Sequence, residues 1–424
     1  MCLVFRAASR AILPALFLML VTGAGTVFAS GASPKLPNPG FRSLGLWGDE
    51  KNTRLDIAVW YPTHRATRDV NLEGWSFRAG MNRDPVPGLH PVILLSHNAA
   101  SSRAASHDLA AHLARHGFVV IAPTHRKDNA DDTSGFFHAA IYAERPVDLI
   151  LALERTYADP TLAAVMDRNR IGVLGVGSGA VTALQLAGAI PDMARLPGYC
   201  GEGTMLDPLC SHWAKSFHPQ MQSEFAALFA DAPERLTPAL EKAIAPLPAR
   251  ETAAATDTPA TPAMENPAAL PTPDIVDPAE PEKTTANPQE LPRERQHVLA
   301  VGLLTPGAVD LFPDASITTV FAQVGIFAAM NDSVYASAKV AERLQALLPH
   351  RPASRIVADA DFFDLQAPCP PAYLDSFPAL CGHQSPTAQG ARKARNDFFV
   401  RFFQKALGAP LPPPLPPDST ASKQ

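Results

Sequence analysis

The sequence predicts an α/β fold in which a mixed, mostly parallel central sheet carries helices on both faces. Short runs that are apolar throughout alternate with longer runs of helical spacing, which is the pattern of a parallel sheet covered on both sides. A glycine-rich segment, Gly175-Val176-Gly177-Ser178-Gly179, follows one apolar run and precedes one helical run. A strand, a tight turn and a helix in this order are a common setting for a functional residue.

The individual elements follow from these patterns. Apolar runs predict strands at Arg54–Tyr61, His90–His97, Phe118–Thr124, Arg170–Leu174, His297–Leu304, Val324–Ala329 and Ser354–Val357. Helical spacing predicts helices at Ser102–His116, Arg145–Tyr157, Ser178–Ala189, Val334–Leu348 and Gln389–Leu407. The segment from about Phe41 to Tyr61 resembles a hairpin, which makes the sheet mixed. In the last helix, a core-facing aromatic stripe is predicted at Phe398, Phe399, Phe402 and Phe403.

The composition is that of a globular protein. The chain has 424 residues, of which 46% are hydrophobic and 18% are charged, so it can bury a large core. Its net charge of -5, without a basic stripe interleaved with aromatic residues, argues against nucleic acid as a partner. We therefore expect no nucleic-acid partner, and the sequence leaves the oligomeric state open.

Residues 1–29 have the pattern of a signal peptide. Arg6 and Arg10 precede the apolar run Ala11–Thr22, and Val27-Phe28-Ala29 is a small-x-small cleavage site. The alternative is a single membrane anchor, for which this apolar run is short. We expect an exported protein, periplasmic or secreted, with no transmembrane span in its mature chain.

The rest of the chain divides by composition. Residues 246–292 are rich in Pro, Ala and Thr, and such a segment buries too little apolar surface to offset its ordering entropy. We predict a disordered insertion there, between a first core part at 30–245 and a second at 293–408. Residues 409–424 form a proline-rich tail, expected to be extended.

The cysteines predict disulfides. Cys2 belongs to the signal peptide, and an even number remains in a chain expected to be exported. Of the three possible pairings, Cys200–Cys210 and Cys369–Cys381 close the shortest loops and are expected. The alternatives are four buried thiols or, less in keeping with these spacings, a metal site. We expect no metal and no cofactor.

The glycine-rich turn differs from a nucleophile motif by one position. In the pattern G-x-S-x-G the outer glycines flank the nucleophile at the centre. Here the outer glycines are Gly175 and Gly179, so the central position is Gly177 and the serine, Ser178, comes one residue later. The turn keeps the glycines of the motif and lacks a hydroxyl at its centre.

Several further segments, in this order and spacing, carry a resemblance to a known family. They are Gly40-Phe41-Arg42, Ala58–Thr63, Leu95-Ser96-His97, Ala122–His125, Arg145–Asp148, Ile171–Gly175, Asn331-Asp332 and Ala367–Pro370. The chain resembles the exported dienelactone-hydrolase-like branch of the α/β-hydrolases, which is related to platelet-activating-factor acetylhydrolases. The resemblance implies an α/β-hydrolase fold and hydrolysis of an ester, lactone or thioester through a Ser-His-Asp triad.

The family's catalytic residues carry over only in part. The resemblance places the retained acid at Asp332, whereas the nucleophile position holds Gly177 and the histidine position holds Phe362. The family's histidine-glycine oxyanion turn reads His97-Asn98 here. From this turn and the elbow we expect the oxyanion hole and pocket to comprise His97, Asn98, Ala99 and Ser178.

These substitutions favour one interpretation over two alternatives. Without a nucleophile and a base, we expect a degenerate hydrolase or a binding protein for a small ester-like or lipid-like ligand. The first alternative is an active hydrolase that uses Ser178 with Asp332 and His383 as rescue residues, for which His97 and His125 are weaker histidine candidates. The second is nucleotide binding at Gly175-x-Gly177-x-x-Ala180, which lacks the acidic residue expected about 20 positions later.

One further unit is predicted to be structural. Arg145 and Asp148 open a predicted helix, where an aspartate complements the helix dipole. We expect a helix cap and a surface salt bridge from them.

Overall fold

The computed structural model describes residues 36–47, 54–135, 140–201, 210, 232–245, 297–376, 381–382 and 384–408. By internal contacts Met1–Leu36 and Pro37–Gln424 are separate units, and the following concerns the second. The predicted signal peptide, insertion and proline-rich tail, together with His383, lie outside the described residues.

The strands are β1 (Asn38–Trp47), β2 (Arg54–Thr63), β3 (Arg68–Leu72), β4 (Trp75–Met81), β5 (His90–Ser96), β6 (Val119–Pro123), β7 (Met166–Val176), β8 (Val298–Leu304), β9 (Gln323–Ala329) and β10 (Ala353–Val357). The α-helices are α1 (His107–Arg115), α2 (Ala140–Tyr157), α3 (Pro160–Ala163), α4 (Gly179–Leu186), α5 (Leu196–Gly201), α6 (Ala232–Ile244), α7 (Asp314–Ile317), α8 (Ser337–Leu347), α9 (Pro371–Ser376) and α10 (Ala388–Leu407). Short 3-10 helices lie at Met193–Arg195, Val309–Leu311 and Phe363–Leu365.

The strands form one mixed sheet in the order β10-β9-β8-β7-β5-β6-β2-β1-β4-β3. The pairs from β10 to β6 are parallel, whereas β2 is antiparallel to both β6 and β1. Strand β8, which follows residues 246–292 in the chain, pairs with β7, which precedes them. Both parts of the chain therefore build one sheet, and the predicted α/β architecture is confirmed.

Two apolar clusters cover the two faces of the sheet. Along β5, Val92 and Leu94 belong to one cluster, and Ile93 and Leu95 to the other, as expected for side chains that alternate across a strand. The first cluster includes side chains of α2, α4 and α6, and the second includes those of α1 and α10.

Helix α10 packs closely on the sheet through its aromatic stripe. Phe399, Phe402 and Phe403 are buried, and Phe398 is partly buried against the same cluster, as the sequence predicts. A Cβ at Gly302 of β8 would lie 3.0 Å from both the Phe399 and Phe403 rings. Glycine in the strand therefore lets the helix approach at van der Waals distance.

Several elements escape the sequence prediction. One is the hairpin of β3 and β4, whose turn residues Glu73 and Gly74 have φ values of 49° and 81°, as a tight primed turn requires. Strand β3 is short and mostly exposed, so it has no apolar run. Helix α6 and the short helices α3, α5, α7 and α9 are further elements that the sequence prediction lacks.

Within the described residues, no helix is long and apolar enough to cross a bilayer.

Candidate functional site

The turn between β7 and α4 has the shape of a nucleophile elbow. Gly177 has φ +54°, its N–H donates to Leu304 O at 3.0 Å, and its carbonyl accepts from Gly307 N at 3.0 Å. A Cβ at Gly175 would lie 2.7 Å from Ala180 N. The strand and helix backbones thus approach so closely at position 175 that glycine is needed there. Gly177, the residue with the left-handed backbone conformation, occupies the position that the motif reserves for the nucleophile.

Two side chains fill the space that a nucleophile would use. A Cβ built on Gly177 would lie 2.7 Å from Asn98 Cγ and 2.8 Å from Tyr335 Cε2. The Tyr335 hydroxyl donates to Asn98 Oδ1 at 2.6 Å. The position at the centre of the elbow is therefore closed by a hydrogen-bonded Asn–Tyr pair.

The backbone donors of the expected oxyanion hole are also occupied. Ser178 N donates to Asn98 Oδ1 at 3.1 Å, and Ala99 N donates to Ser178 Oγ at 2.8 Å. In a working site such donors point at the developing oxyanion. Here the amide oxygen of Asn98 and the hydroxyl of Ser178 take the place of a ligand oxygen.

Ser178 is poorly placed as a replacement nucleophile. Its side chain lies at the start of α4, and the residue is only 1% exposed. Its hydroxyl lies 3.4 Å from Asn98 Oδ1, and none of the described histidines is hydrogen-bonded to it. Among the predicted partners, His383 lies outside the described residues. The geometry does not favour a shifted nucleophile.

His97 cannot serve as the base for Ser178 because both ring nitrogens are used. Nδ1 donates to Asn98 O at 2.6 Å, and Nε2 accepts from His125 N at 2.9 Å. Burial, reinforced by the charges of His125 and Arg145, holds the pKa of His97 well below its usual range. The neutral ring therefore fixes the turn before Asn98 in place.

Asp332 lies in the loop after β9, where the family resemblance expects the acid. Oδ1 accepts from Val334 N at 2.9 Å and Tyr335 N at 2.8 Å, whereas Oδ2 is buried without a hydrogen bond. Burial raises the pKa of this carboxyl group. The side-chain geometry thus leaves one buried oxygen of the expected acid without a hydrogen bond.

Phe362 is packed as a core residue at the expected histidine position. It is 3% exposed and clusters with Val334, Tyr335 and Phe363. Its ring lies edge-on to Tyr335, with 5.5 Å between the ring centroids. Phe362 therefore packs against Tyr335, the tyrosine that closes the elbow. The sequence analysis did not identify Tyr335, because no motif marks it.

A cleft lies beside Phe362, which is one of its lining residues. Its empty volume is about 550 Å³, open solvent at its mouth included. Of the predicted pocket residues, Asn98 and Ala99 line it, whereas Ser178 and His97 do not. The other lining residues are Trp75, Ala100, Ser101, Ala105, Ala130, Phe362, Gln366, Ala367, Cys369, Tyr373 and Cys381.

The predicted cysteine pairs both form. Cys200 is bonded to Cys210, and Cys369 is bonded to Cys381. The second disulfide lines the cleft, next to the loop that carries Gln366. Within the described residues, no three His, Cys, Asp or Glu side chains converge as metal ligands.

Arg145 and Asp148 correct the expectation of a surface cap and salt bridge. Helix α2 begins at Ala140, so both residues lie within the helix, and both are fully buried. Arg145 pairs with Asp128 and also donates to His97 O. Asp128 Oδ1 accepts from Ala100 N at 2.8 Å. The pair thus anchors both sides of the loop that carries Asn98.

Asp148 belongs to a second buried arrangement that resembles a triad. His125 Nδ1 lies 3.3 Å from Asp148 Oδ2, and its Nε2 lies 2.9 Å from Ser96 Oγ. All three residues are 0% exposed, and burial holds the pKa of His125 well below its usual range. Arg145 Nη2 also donates to Ser96 Oγ at 3.1 Å. Because no substrate reaches these groups, the network is structural.

Together, the sheet order and the elbow define an α/β-hydrolase fold, and comparison with known proteins gives the family context. Residues 79–186, which run from β4 through the elbow into α4, match the family model of platelet-activating factor acetylhydrolase, isoform II. The chain thus has an α/β-hydrolase fold, and its segment 79–186 is similar to this acetylhydrolase family, as the sequence resemblance expects.

A solved structure with a detectable likeness is described as a ferulic acid esterase from Streptomyces cinnamoneus. It is 15% identical to this chain, covers 92% of this chain and 96% of its own, and has a TM-score of 0.46. A search of curated proteins found no match.

Proposed function

We propose that this protein is a catalytically inactive member of the α/β-hydrolase fold that binds a small ester-like or lipid-like ligand in the cleft beside Phe362. The observation that carries the proposal is the Asn98–Tyr335 pair, which occupies the space of a nucleophile side chain at Gly177. A cleft open to solvent persists next to it. Binding is therefore retained where the chemistry is lost.

The chemical argument rests on two missing groups. Acyl transfer needs a nucleophile and a base that takes its proton, and here the corresponding positions hold Gly177 and Phe362. A triad enzyme without these groups keeps only the roughly 10³–10⁴-fold effect of binding and its oxyanion hole. Because Asn98 and Ser178 already satisfy the backbone donors of that hole, even this residual effect is reduced.

We also propose that the protein acts outside the cytoplasm. The two disulfides support this location, because such bonds persist in oxidising compartments. The test is fractionation of the native host after expression of the full chain, with detection by antibody. A protein found with reduced thiols in the cytoplasm would contradict export.

The test of inactivity uses turnover and active-site labelling on the same preparation. Folded protein is assayed with p-nitrophenyl acetate and p-nitrophenyl butyrate, with Ser178→Ala as the matched control, and is then treated with a fluorophosphonate probe. We expect equal rates for both proteins and no labelling. Turnover or labelling that Ser178→Ala abolishes would establish Ser178 as a nucleophile and overturn the proposal.

A further inference from the structure

The side-chain amide of Asn98 is held in one orientation by the elbow. Its Oδ1 accepts hydrogen bonds from Ser178 N at 3.1 Å and from the Tyr335 hydroxyl at 2.6 Å. A backbone N–H can only donate, so the end of the amide that faces Ser178 N must be the oxygen. The nitrogen, Nδ2, is therefore the end of the amide that the elbow leaves unused.

Asn98 Nδ2 is an accessible hydrogen-bond donor. None of the described residues accepts a hydrogen bond from it, and it is not enclosed by protein, in contrast to the nitrogens Trp75 Nε1 and Gln366 Nε2. Asn98 is only partly buried, whereas its neighbours His97 and Ala99 are buried. Because Asn98 lines the cleft, the cleft is the space from which a ligand reaches this donor.

A second accessible polar group lies three residues further along the same loop. Ser101 also lines the cleft, and its backbone N donates to Asn98 O at 3.2 Å. Its hydroxyl is partnered by none of the described residues and is not enclosed by protein. The loop therefore presents two polar groups to a ligand, of which only Asn98 has a fixed orientation.

The apolar part of the lining restricts the shape of the ligand. The rings of Trp75, Phe362 and Tyr373 line the cleft together with several alanines. Trp75 packs edge-on against Tyr373, with 5.1 Å between the ring centroids. Such a wall suits a flat apolar group that carries a small number of polar atoms.

The charges around the cleft disfavour an anion. None of the described residues that line it carries a formal charge. Beyond the lining, Arg103 pairs with Glu73 at 2.7 Å and lies 3.6 Å from Asp56, so acidic groups compensate its charge. Burial raises the pKa of the Tyr373 hydroxyl, and the negative charges of Asp131 and Glu73 add to this effect. An uncharged ligand therefore fits these surroundings better than a carboxylate.

We propose that Asn98 recognises the carbonyl oxygen of an uncharged aromatic ester, which stays bound intact. Its Oδ1 fills the expected oxyanion position, and its Nδ2 donates to the ester carbonyl from the wall of the cleft. This inference rests on the proposed function, because an ester that stays intact needs a site without a nucleophile. It adds the charge of the ligand, the atom that is recognised and the residue that recognises it.

The first test compares three probes by NMR titration of the full chain. Methyl benzoate carries the carbonyl oxygen, benzyl methyl ether lacks only that oxygen, and benzoate is the corresponding anion. We expect methyl benzoate to bind roughly three- to tenfold more tightly than the ether, as one hydrogen bond provides, and more tightly than benzoate. The side-chain amide protons of Asn98 should move downfield with the ester and not with the ether.

The second test replaces the donor alone. In Asn98→Asp a carboxylate oxygen can still accept from Ser178 N and from the Tyr335 hydroxyl, whereas Nδ2 becomes an acceptor that repels a carbonyl oxygen. We expect this variant to lose the preference for methyl benzoate over the ether. Asn169→Asp is the matched control, because it adds the same charge at an exposed residue near the start of β7, whose other end leads into the elbow.

The outcomes separate this inference from the function on which it rests. Equal binding of ester and ether, tighter binding of benzoate, or a preference that survives Asn98→Asp overturns the inference even if the protein is inactive. Methanol released from methyl benzoate, and abolished by Ser178→Ala, overturns the proposed function and is read from its own signal in the same spectra. If Asn98→Asp does not fold, the shift of the Asn98 amide protons in the wild type decides the test.

Discussion

Replacing Gly177 by alanine tests whether the elbow has become closed. The new Cβ would lie 2.7 Å from Asn98 Cγ and 2.8 Å from Tyr335 Cε2, and overpacking of this kind costs about 1–3 kcal/mol. The left-handed backbone conformation adds about 1–2 kcal/mol for a non-glycine residue. Alanine also lowers the conformational entropy of the unfolded chain, which offsets about 0.4–1 kcal/mol of this loss. The expected loss of unfolding free energy is therefore about 1–4.5 kcal/mol.

Gly188→Ala is the matched control. Gly188 has φ +99°, and a Cβ there would meet no atom within 4 Å, so this variant reports backbone strain alone. We expect it to cost about 1 kcal/mol. The excess at Gly177 over Gly188 then measures the contact with the Asn98–Tyr335 pair.

The assay is urea denaturation under non-reducing conditions, with midpoints compared at a shared slope. Two further variants, Asn98→Gly alone and Asn98→Gly combined with Gly177→Ala, close a double-mutant cycle. We expect the alanine to cost at least about 1 kcal/mol less when Asn98 has been replaced, because part of the clash is gone. The reasoning is refuted if Gly177→Ala costs no more than Gly188→Ala, or if the cycle shows no coupling.

Three further predictions follow from the buried groups. Burial raises the pKa of the Asp332 carboxyl group above its ordinary 3.8. Ionisation of this group in the folded protein is therefore unfavourable, so the free energy of unfolding falls as the pH rises through the folded-state pKa. Relative to wild type, Asp332→Asn should thus be more stable at pH 7 than near pH 3, as read from urea midpoints at both values. Arg145→Met should cost about 3–5 kcal/mol by leaving Asp128 buried and unpaired, whereas the exposed Arg78→Met should change stability by less than about 0.5 kcal/mol. Gly177→Ser/Phe362→His should show no esterase activity above wild type in a p-nitrophenyl acetate assay, because Asn98 and Tyr335 still block the elbow; turnover would contradict a closed site.

Local patterns predicted the part of the molecule that depends on local chemistry. Apolar runs located the parallel strands, and the glycine spacing located the elbow, because a left-handed turn between packed backbones admits little else. The pairs Cys200–Cys210 and Cys369–Cys381 followed from short loops. The acid at Asp332 and the substitution at Phe362 came from the family resemblance, and their catalytic roles stay predictions.

What the sequence did not indicate depends on distant contacts. The hydrogen bond from Tyr335 to Asn98 joins residues 237 positions apart, and neither residue belongs to a motif that links them. Arg145 was misread because the helix was predicted to begin at that residue, whereas α2 begins at Ala140 and continues through Pro146. The local sequence does not show that the partner of Arg145 is Asp128, a residue outside the helix.

The contacts at the elbow also predict that restoring one catalytic residue is not enough for activity. Gly177 leaves the space that Asn98 and Tyr335 occupy, Tyr335 is held by Phe362, and Asn98 Oδ1 satisfies the N–H of Ser178. A change at any one of these positions leaves a clash, a void or an unpaired donor at another, and each costs about 1–3 kcal/mol. The four positions Gly177, Asn98, Tyr335 and Phe362 therefore form one coupled unit, in which stability and the proposed loss of the nucleophile site depend on the same contacts.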